Sequence, residues 1–153
     1  MTCCLSEVDI CSGEGWRLRV DPRRQPFSVL IGGRDWAAEL TAREAGQVRT
    51  AVATLLRQLE ATAPLLMPDE TLELEHASEG LWMQLSGTPD EWALRFLIDD
   101  TARGAERARG LEGGWDCTAS QALAAALASV QLPDGHDESR MRRNVEAALD
   151  QDC

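Results

Sequence analysis

Phe27-Ser28-Val29-Leu30-Ile31-Gly32-Gly33-Arg34-Asp35-Trp36-Ala37-Ala38-Glu39-Leu40-Thr41-Ala42-Arg43-Glu44 is the stretch that decides the fold. Its first five residues are rich in β-formers and read as a strand. Gly32-Gly33-Arg34-Asp35 is a hairpin signal, because glycine supplies the backbone conformations a tight turn needs. Trp36 to Leu40 reads as the returning strand. Thr41 and Glu44 then form a capping box: the threonine oxygen takes an early amide proton, and the glutamate reaches back to the cap's own amide. Val48, Val52, Leu55, Leu56, Leu59 and Ala63 follow on one helical stripe, which Pro64 closes.

Upstream, Trp16-Arg17-Leu18-Arg19-Val20 alternates apolar and polar residues, the mark of a half-buried strand. Asp21-Pro22-Arg23-Arg24-Gln25-Pro26 joins it to the strand at Phe27 as a loop. The first unit is therefore βββα. Leu65-Leu66-Met67-Pro68-Asp69 reads as a short, apolar, packed linker. A second series follows: Thr71 to His76, Leu81 to Leu85 and Trp92 to Ile98 read as strands separated by turn residues. Residues 99–114 read as a polar, Gly-rich stretch. Thr118 with Gln121 suggests a second capping box, ahead of a stripe of Leu123, Ala126, Leu127 and Val130. The likeness of Trp36-Ala37 and Trp92-Ala93 marks the two units as copies and predicts both tryptophans in the core.

Consecutive strands joined by hairpins make antiparallel sheet, and each apolar sheet face needs a helix to cover it. The expected fold is α+β: two antiparallel sheets from a duplicated βββα unit, with helices packed on them. Residues 1–13 are expected as a flexible N-terminal arm, 14–132 as the domain, and 133–153 as a charged, partly helical tail in which Met141, Val145 and Leu149 share a face.

The whole sequence narrows the function. Its 153 residues suit one domain, and 44% hydrophobic with 27% charged residues are globular values. No apolar run reaches the roughly 20 residues of a membrane helix, and the N-terminus lacks the pattern of a signal peptide. The expectation is a cytoplasmic protein without a membrane partner. Cys3, Cys4, Cys11, Cys117 and Cys153 show no paired ligand spacing, so free thiols are expected and no metal or cofactor. All 15 basic residues are arginine, a compositional habit that carries no functional weight by itself. A net charge of −11 disfavours tight non-specific binding to nucleic acid. The charge is uneven, however: residues 16–34 hold Arg17, Arg19, Arg23, Arg24 and Arg34 against Asp21, whereas 67–101 are strongly acidic.

Neither His76 nor His136 has a nucleophile motif beside it, and no phosphate loop or zinc-protease signature occurs. Glu73 and Glu75 share a strand face and read as a solvated face rather than a catalytic pair. The chain is not expected to be an enzyme. Trp82 points away from the side that Leu81, Met83 and Leu85 bury, and reads as sharing a face with Arg17, Arg19, Leu30, Arg95 and Leu97. Arginine and aromatic groups on an open sheet stack bases or anchor a protein. Arg109-Gly110-Leu111-Glu112-Gly113-Gly114-Trp115 is a second candidate, in which Trp115 reads as a plug for the core.

Gly15-Trp16-Arg17-Leu18, Phe27-x-Val29-Leu30-Ile31-Gly32-Gly33-x-x-Trp36-Ala37-x-Glu39-Leu40-Thr41, Leu66-Met67-x-x-Glu70, the Trp82 strand, Trp92-x-Leu94-Arg95-Phe96 and Arg109-Gly110-x-Glu112-Gly113-x-Trp115 together resemble a cyanobacterial family known as domain of unknown function 1818. The likeness spans about residues 14–130, and departs at both ends and at an insertion near 101–108. It implies a fold similar to the single-stranded-DNA-binding domains of Whirly proteins and of positive cofactor four. It brings no catalytic residues. The expected function is a non-enzymatic binding module, whose role could be regulatory, using Arg17, Arg19, Arg23, Arg24, Trp82, Arg95 and Arg109 toward single-stranded nucleic acid, weakly, or toward a protein. The alternative is a protein-interaction or assembly factor that binds no nucleic acid.

Overall fold

A computed structural model of the chain describes residues 8–99 and 109–133. Eight strands and two α-helices follow in the order β1 (Asp9–Gly13), β2 (Trp16–Val20), β3 (Val29–Gly32), β4 (Ala37–Leu40), α1 (Ala42–Thr62), β5 (Leu72–Ser78), β6 (Leu81–Gly87), β7 (Trp92–Asp99), β8 (Gly110–Trp115) and α2 (Cys117–Ser129). They make two four-stranded antiparallel sheets, β1-β2-β3-β4 and β5-β6-β7-β8, each a simple meander. The α+β class and the duplicated order are those expected from the sequence.

Each unit gains one strand over that expectation. β1 precedes the first three and pairs with β2, so residues 9–13 of the supposed arm belong to the sheet. β8 follows the second three and pairs with β7, within the stretch read as a polar loop. The Trp36/Trp92 likeness therefore joins strands of different rank, since β4 is an edge strand and β7 an interior one. Both tryptophans still serve the core: Trp92 is buried in it and Trp36 packs against it. Residues 1–7 of the expected arm and 134–153 of the expected tail, with His136, lie outside the described residues.

Alternation sets the inner faces. Leu18, Val20, Val29, Ile31, Ala38 and Leu40 are buried from the first sheet, and Leu81, Met83, Leu85, Leu94, Phe96 and Ile98 from the second. The helices do not simply cover their own sheets. α1 lies against β5 and β6, while α2 touches both β7 and β2. One hydrophobic cluster thus serves both units, and neither sheet closes a core by itself.

Trp36, Phe96 and Trp115 lock the sheets together, with ring centroids 5.2–5.6 Å apart. The Trp115 indole donates to the Gly32 carbonyl of the other sheet at 2.9 Å, so its polar edge is satisfied inside the core. Trp115 is the core plug that its sequence context suggested. Gly113 makes room for it: a Cβ there would stand 2.8 Å from the Trp36 ring and 2.9 Å from Phe96. Ser120, fully buried on α2, accepts from the Leu94 amide at 2.9 Å and donates to the Trp115 carbonyl at 3.0 Å. A helix hydroxyl thereby completes the end of the β7–β8 ladder.

The helix starts differ in how the sequence signals them. At α1 the Thr41 oxygen accepts from the Glu44 amide and the Glu44 carboxylate accepts from the Thr41 amide, the full capping box. At α2 the cap is Asp116, whose carboxylate accepts from the Ala119 amide at 2.8 Å, and Thr118 lies inside the helix. The linker after α1 departs from expectation too. Leu65 and Met67 are 82% and 73% exposed rather than packed, because the 3₁₀ turn Ala63–Leu65 and the positive φ of Asp69 carry that corner outward.

Candidate functional site

The strand registers divide the predicted residues between two faces. On the outer side of the first sheet, one row runs Ile10, Arg19, Leu30, Glu39, and the next runs Ser12, Arg17, Gly32, Ala37. On the outer side of the second sheet, rows run Ala77, Trp82, Leu97, Glu112 and Glu75, Gln84, Arg95, Gly114. Trp82, Arg95 and Leu97 therefore belong to one sheet, and Arg17, Arg19 and Leu30 to the other. Their common alternation phase made them look like one face; the break between sheets at α1 separates them.

Most of the arginines already have partners. Arg23 holds Asp21 through its guanidinium at 3.2 Å and its amide at 3.1 Å. Partial loss of solvent acts to raise the Asp21 carboxyl, but these bonds from Arg23, with the charge of Arg24, hold it below its usual value. Arg24 pairs with Glu39 at 3.0 Å across an exposed surface. Arg95 pairs with Glu112 and lies 6.0 Å over the Trp82 ring. Such exposed pairs contribute little and re-form easily.

Arg109 is different in kind. It donates to the Glu39 carbonyl at 2.7 Å and to the Glu44 carboxylate, with its guanidinium 4.6 Å over the Phe27 ring. Glu44 is buried at the α1 cap, so Arg109 ties the start of β8 to the edge of β4 and to the first turn of α1. This is internal carpentry.

Arg17 and Arg19 are the remaining two. Among the described residues neither has an ion pair. Arg17 is exposed and lies across the bare backbone of Gly32, while Arg19 is half-buried between Ile10 and Leu30. Ile10 is 70% exposed. It was missed in the sequence because β1 is exposed at nearly every position and shows no alternation.

The second sheet offers a shallow hollow of about 520 Å³, bordered by Gln84, Ser86, Ala93, Arg95, Glu112 and Gly114. Small side chains form its floor, and Glu73 and Glu75 are exposed on the same sheet face. His76 points to the opposite side, in register with Met83, so it does not converge with the two glutamates. Among the described residues no group of three or more His, Cys, Asp or Glu is placed to hold a metal ion. No described helix is long and apolar enough to cross a membrane. Cys11 and Cys117 are free and half-buried.

The fold has a solved counterpart in a Prochlorococcus sp. NATL2A protein described as of unknown function and from the DUF155 family. It is 32% identical, with a TM-score of 0.72, over 79% of this chain and 97% of the other. No curated protein matches. The family model named domain of unknown function (DUF1818) matches residues 11–130, from the middle of β1 to the end of α2. The chain belongs to that family of unknown function.

Proposed function

We propose that this chain is a non-enzymatic binding module, and that it receives an acidic, partly apolar protein segment on the outer face of the first sheet. The observation that supports this most is the combination of Arg17 and Arg19, without carboxylate partners among the described residues, beside Leu30 and the exposed Ile10. Unneutralised guanidinium groups next to apolar surface favour a partner that supplies both carboxylates and hydrocarbon. β1 is the edge of its sheet, and an extended segment could add alongside it through backbone hydrogen bonds.

Single-stranded nucleic acid is the second reading, motivated by the resemblance to Whirly-type domains and by the same arginines. The two rows on this face contain no aromatic side chain to stack a base. Trp82 stands on the other sheet, between Ala77 and Leu97, with the Arg95 guanidinium already over its ring. The net charge of −11 works in the same direction.

A nuclease-treated pull-down from the native lysate, run with the wild-type chain and with an Ile10→Asp/Arg19→Glu variant, tests the proposal. The expected result is a defined protein retained by the wild type, insensitive to nuclease and lost with the variant. Fluorescence anisotropy supplies the opposing arm. Salt-sensitive binding of single-stranded DNA, abolished by Arg17→Glu/Arg19→Glu, would transfer the function to nucleic acid.

A further inference from the structure

The two sheets are tied to each other along one edge each. Arg109, entering β8, donates to the Glu39 carbonyl of β4, and the Trp115 indole of β8 donates to the Gly32 carbonyl. The opposite edges are β1 and β5, and among the described residues no strand pairs beyond either. These free edges differ in charge. Beside β1, Arg17 and Arg19 face outward from β2 without a carboxylate partner among the described residues. On β5, Glu73 and Glu75 are exposed and meet no cation among the described residues. One free edge is basic and the other acidic.

The backbone of the two edges matches as well. Both hairpins close on two-residue loops, with Gly13 paired to Trp16 and Ser78 to Leu81. Such a closing pair exchanges both of its hydrogen bonds, and along an antiparallel ladder bonded pairs alternate with unbonded ones. Asp9, Cys11 and Gly13 therefore direct their amides and carbonyls to β2, and Leu72, Leu74, His76 and Ser78 direct theirs to β6. The backbone groups of Ile10 and Ser12 on one edge, and of Glu73 and Glu75 on the other, point away from the sheet and are open to a further strand.

We infer that β5 of a second copy of this chain adds antiparallel to β1, with Ser12 opposite Glu73 of the second copy and Ile10 opposite its Glu75. This register joins the outward backbone groups of both edges. It sets Glu73 of the second copy in one row with Ser12 and Arg17, and Glu75 in one row with Ile10 and Arg19. Arginine and glutamate then stand two strands, about 10 Å, apart in each row, a gap that their side chains close over Ser12 and Ile10. Arg17 has only to turn from the backbone of Gly32. A shift by two residues either way leaves one arginine without a glutamate, so charge selects the register. The contact uses a different edge on each copy, so the series closes into a ring or runs on as a fibre. This inference rests on the reading of the first sheet as the receiver of an acidic, partly apolar segment, and identifies that segment as Leu72-Glu73-Leu74-Glu75 of β5.

Sedimentation velocity of the full chain, in about 0.15 M salt and from roughly 10 to 500 μM protein, tests it. The wild type should grow with concentration past the dimer. Arg17→Glu/Arg19→Glu has two acidic edges and Glu73→Arg/Glu75→Arg two basic ones, and each alone should associate at least about tenfold more weakly. Mixed one to one they should associate again, since each supplies the edge that the other lacks. Ser12→Pro removes an outward amide without touching the β1–β2 ladder, and should weaken association as much. Ser12, Glu73 and Glu75 are exposed, so these variants keep the fold, which thermal unfolding checks. A wild type that stays monomeric overturns this inference alone, and leaves the binding reading to the pull-down, where a retained protein other than this chain would uphold it. Association that survives both charge reversals, or that Ser12→Pro leaves unchanged, assigns the contact to another surface and overturns the inference too. So does a mixture of the two reversed variants that stays monomeric.

Discussion

Arg109 and Glu44 stand 65 residues apart in the sequence and share an ion pair at the first turn of α1. Glu44 also accepts the Thr41 amide, so one carboxylate serves the helix cap and the tie to β8 at once. Its side chain is 8% exposed and that of Arg109 27%, so little water is available to replace a lost partner. Arg109→Met should cost about 3 kcal/mol, because it leaves a buried carboxylate uncompensated. In a double-mutant cycle with Glu44→Gln, urea unfolding should show coupling of roughly 1–3 kcal/mol. Additive losses would mean that the pair holds nothing together.

The two helix caps separate local from apparent signals. Asp116→Ala should destabilise the protein by about 1 kcal/mol, since it orphans the Ala119 amide. Thr118→Ala should cost less than about 0.5 kcal/mol, because that residue is exposed inside the first turn. Thermal unfolding of the two variants side by side would decide it. A larger loss for Thr118→Ala would return the cap to the threonine.

These cases show what the sequence could tell. The Thr41/Glu44 box was legible because both its bonds close within three residues. The alternations of β2, β6 and β7 were legible because each has one wet face and one dry, and that of β5 because its inward side is half-buried and its outward side exposed. β8 was not, since Gly110, Gly113 and Gly114 resemble a loop; the demand for Gly113 comes from Trp36 and Phe96, in other elements. Arg109 looked like a binding residue for the same reason, as its acid partner is remote in sequence. At Asp116 the signal is local, but Asp116 and Thr118 are both good capping residues two positions apart, and the spacing of Thr118 to Gln121 imitates a box that the helix does not use.

Glycines 46 and 113 should respond to alanine with opposite signs. Gly46 lies within α1, and a Cβ there meets nothing within 4 Å. Gly46→Ala should therefore stabilise by about 0.5–1 kcal/mol through lost freedom of the unfolded chain. Gly113→Ala forces the Trp36–Phe96 contact apart and should cost about 1–3 kcal/mol. The near-ultraviolet circular dichroism of Gly113→Ala should change with it, as two rings of the junction move. An unchanged spectrum and unchanged stability would show that the junction is loose.

Placement on separate sheets makes a sharper demand on whatever acidic partner is captured. Arg19 lies between Ile10 and Leu30 on the first sheet, whereas Trp82 pairs across to Leu97 on the second. A partner held on the first face should lose affinity by roughly tenfold or more with Arg19→Glu, because the change removes an attraction and adds a repulsion. Trp82→Ala and Arg95→Gln should change affinity by less than about twofold, being outside the contact. Titration calorimetry with the three variants reads this directly. Equal losses from Arg19→Glu and Trp82→Ala would require a partner that spans both sheets, and loss from Trp82→Ala alone would move the site to the outer face of the second sheet.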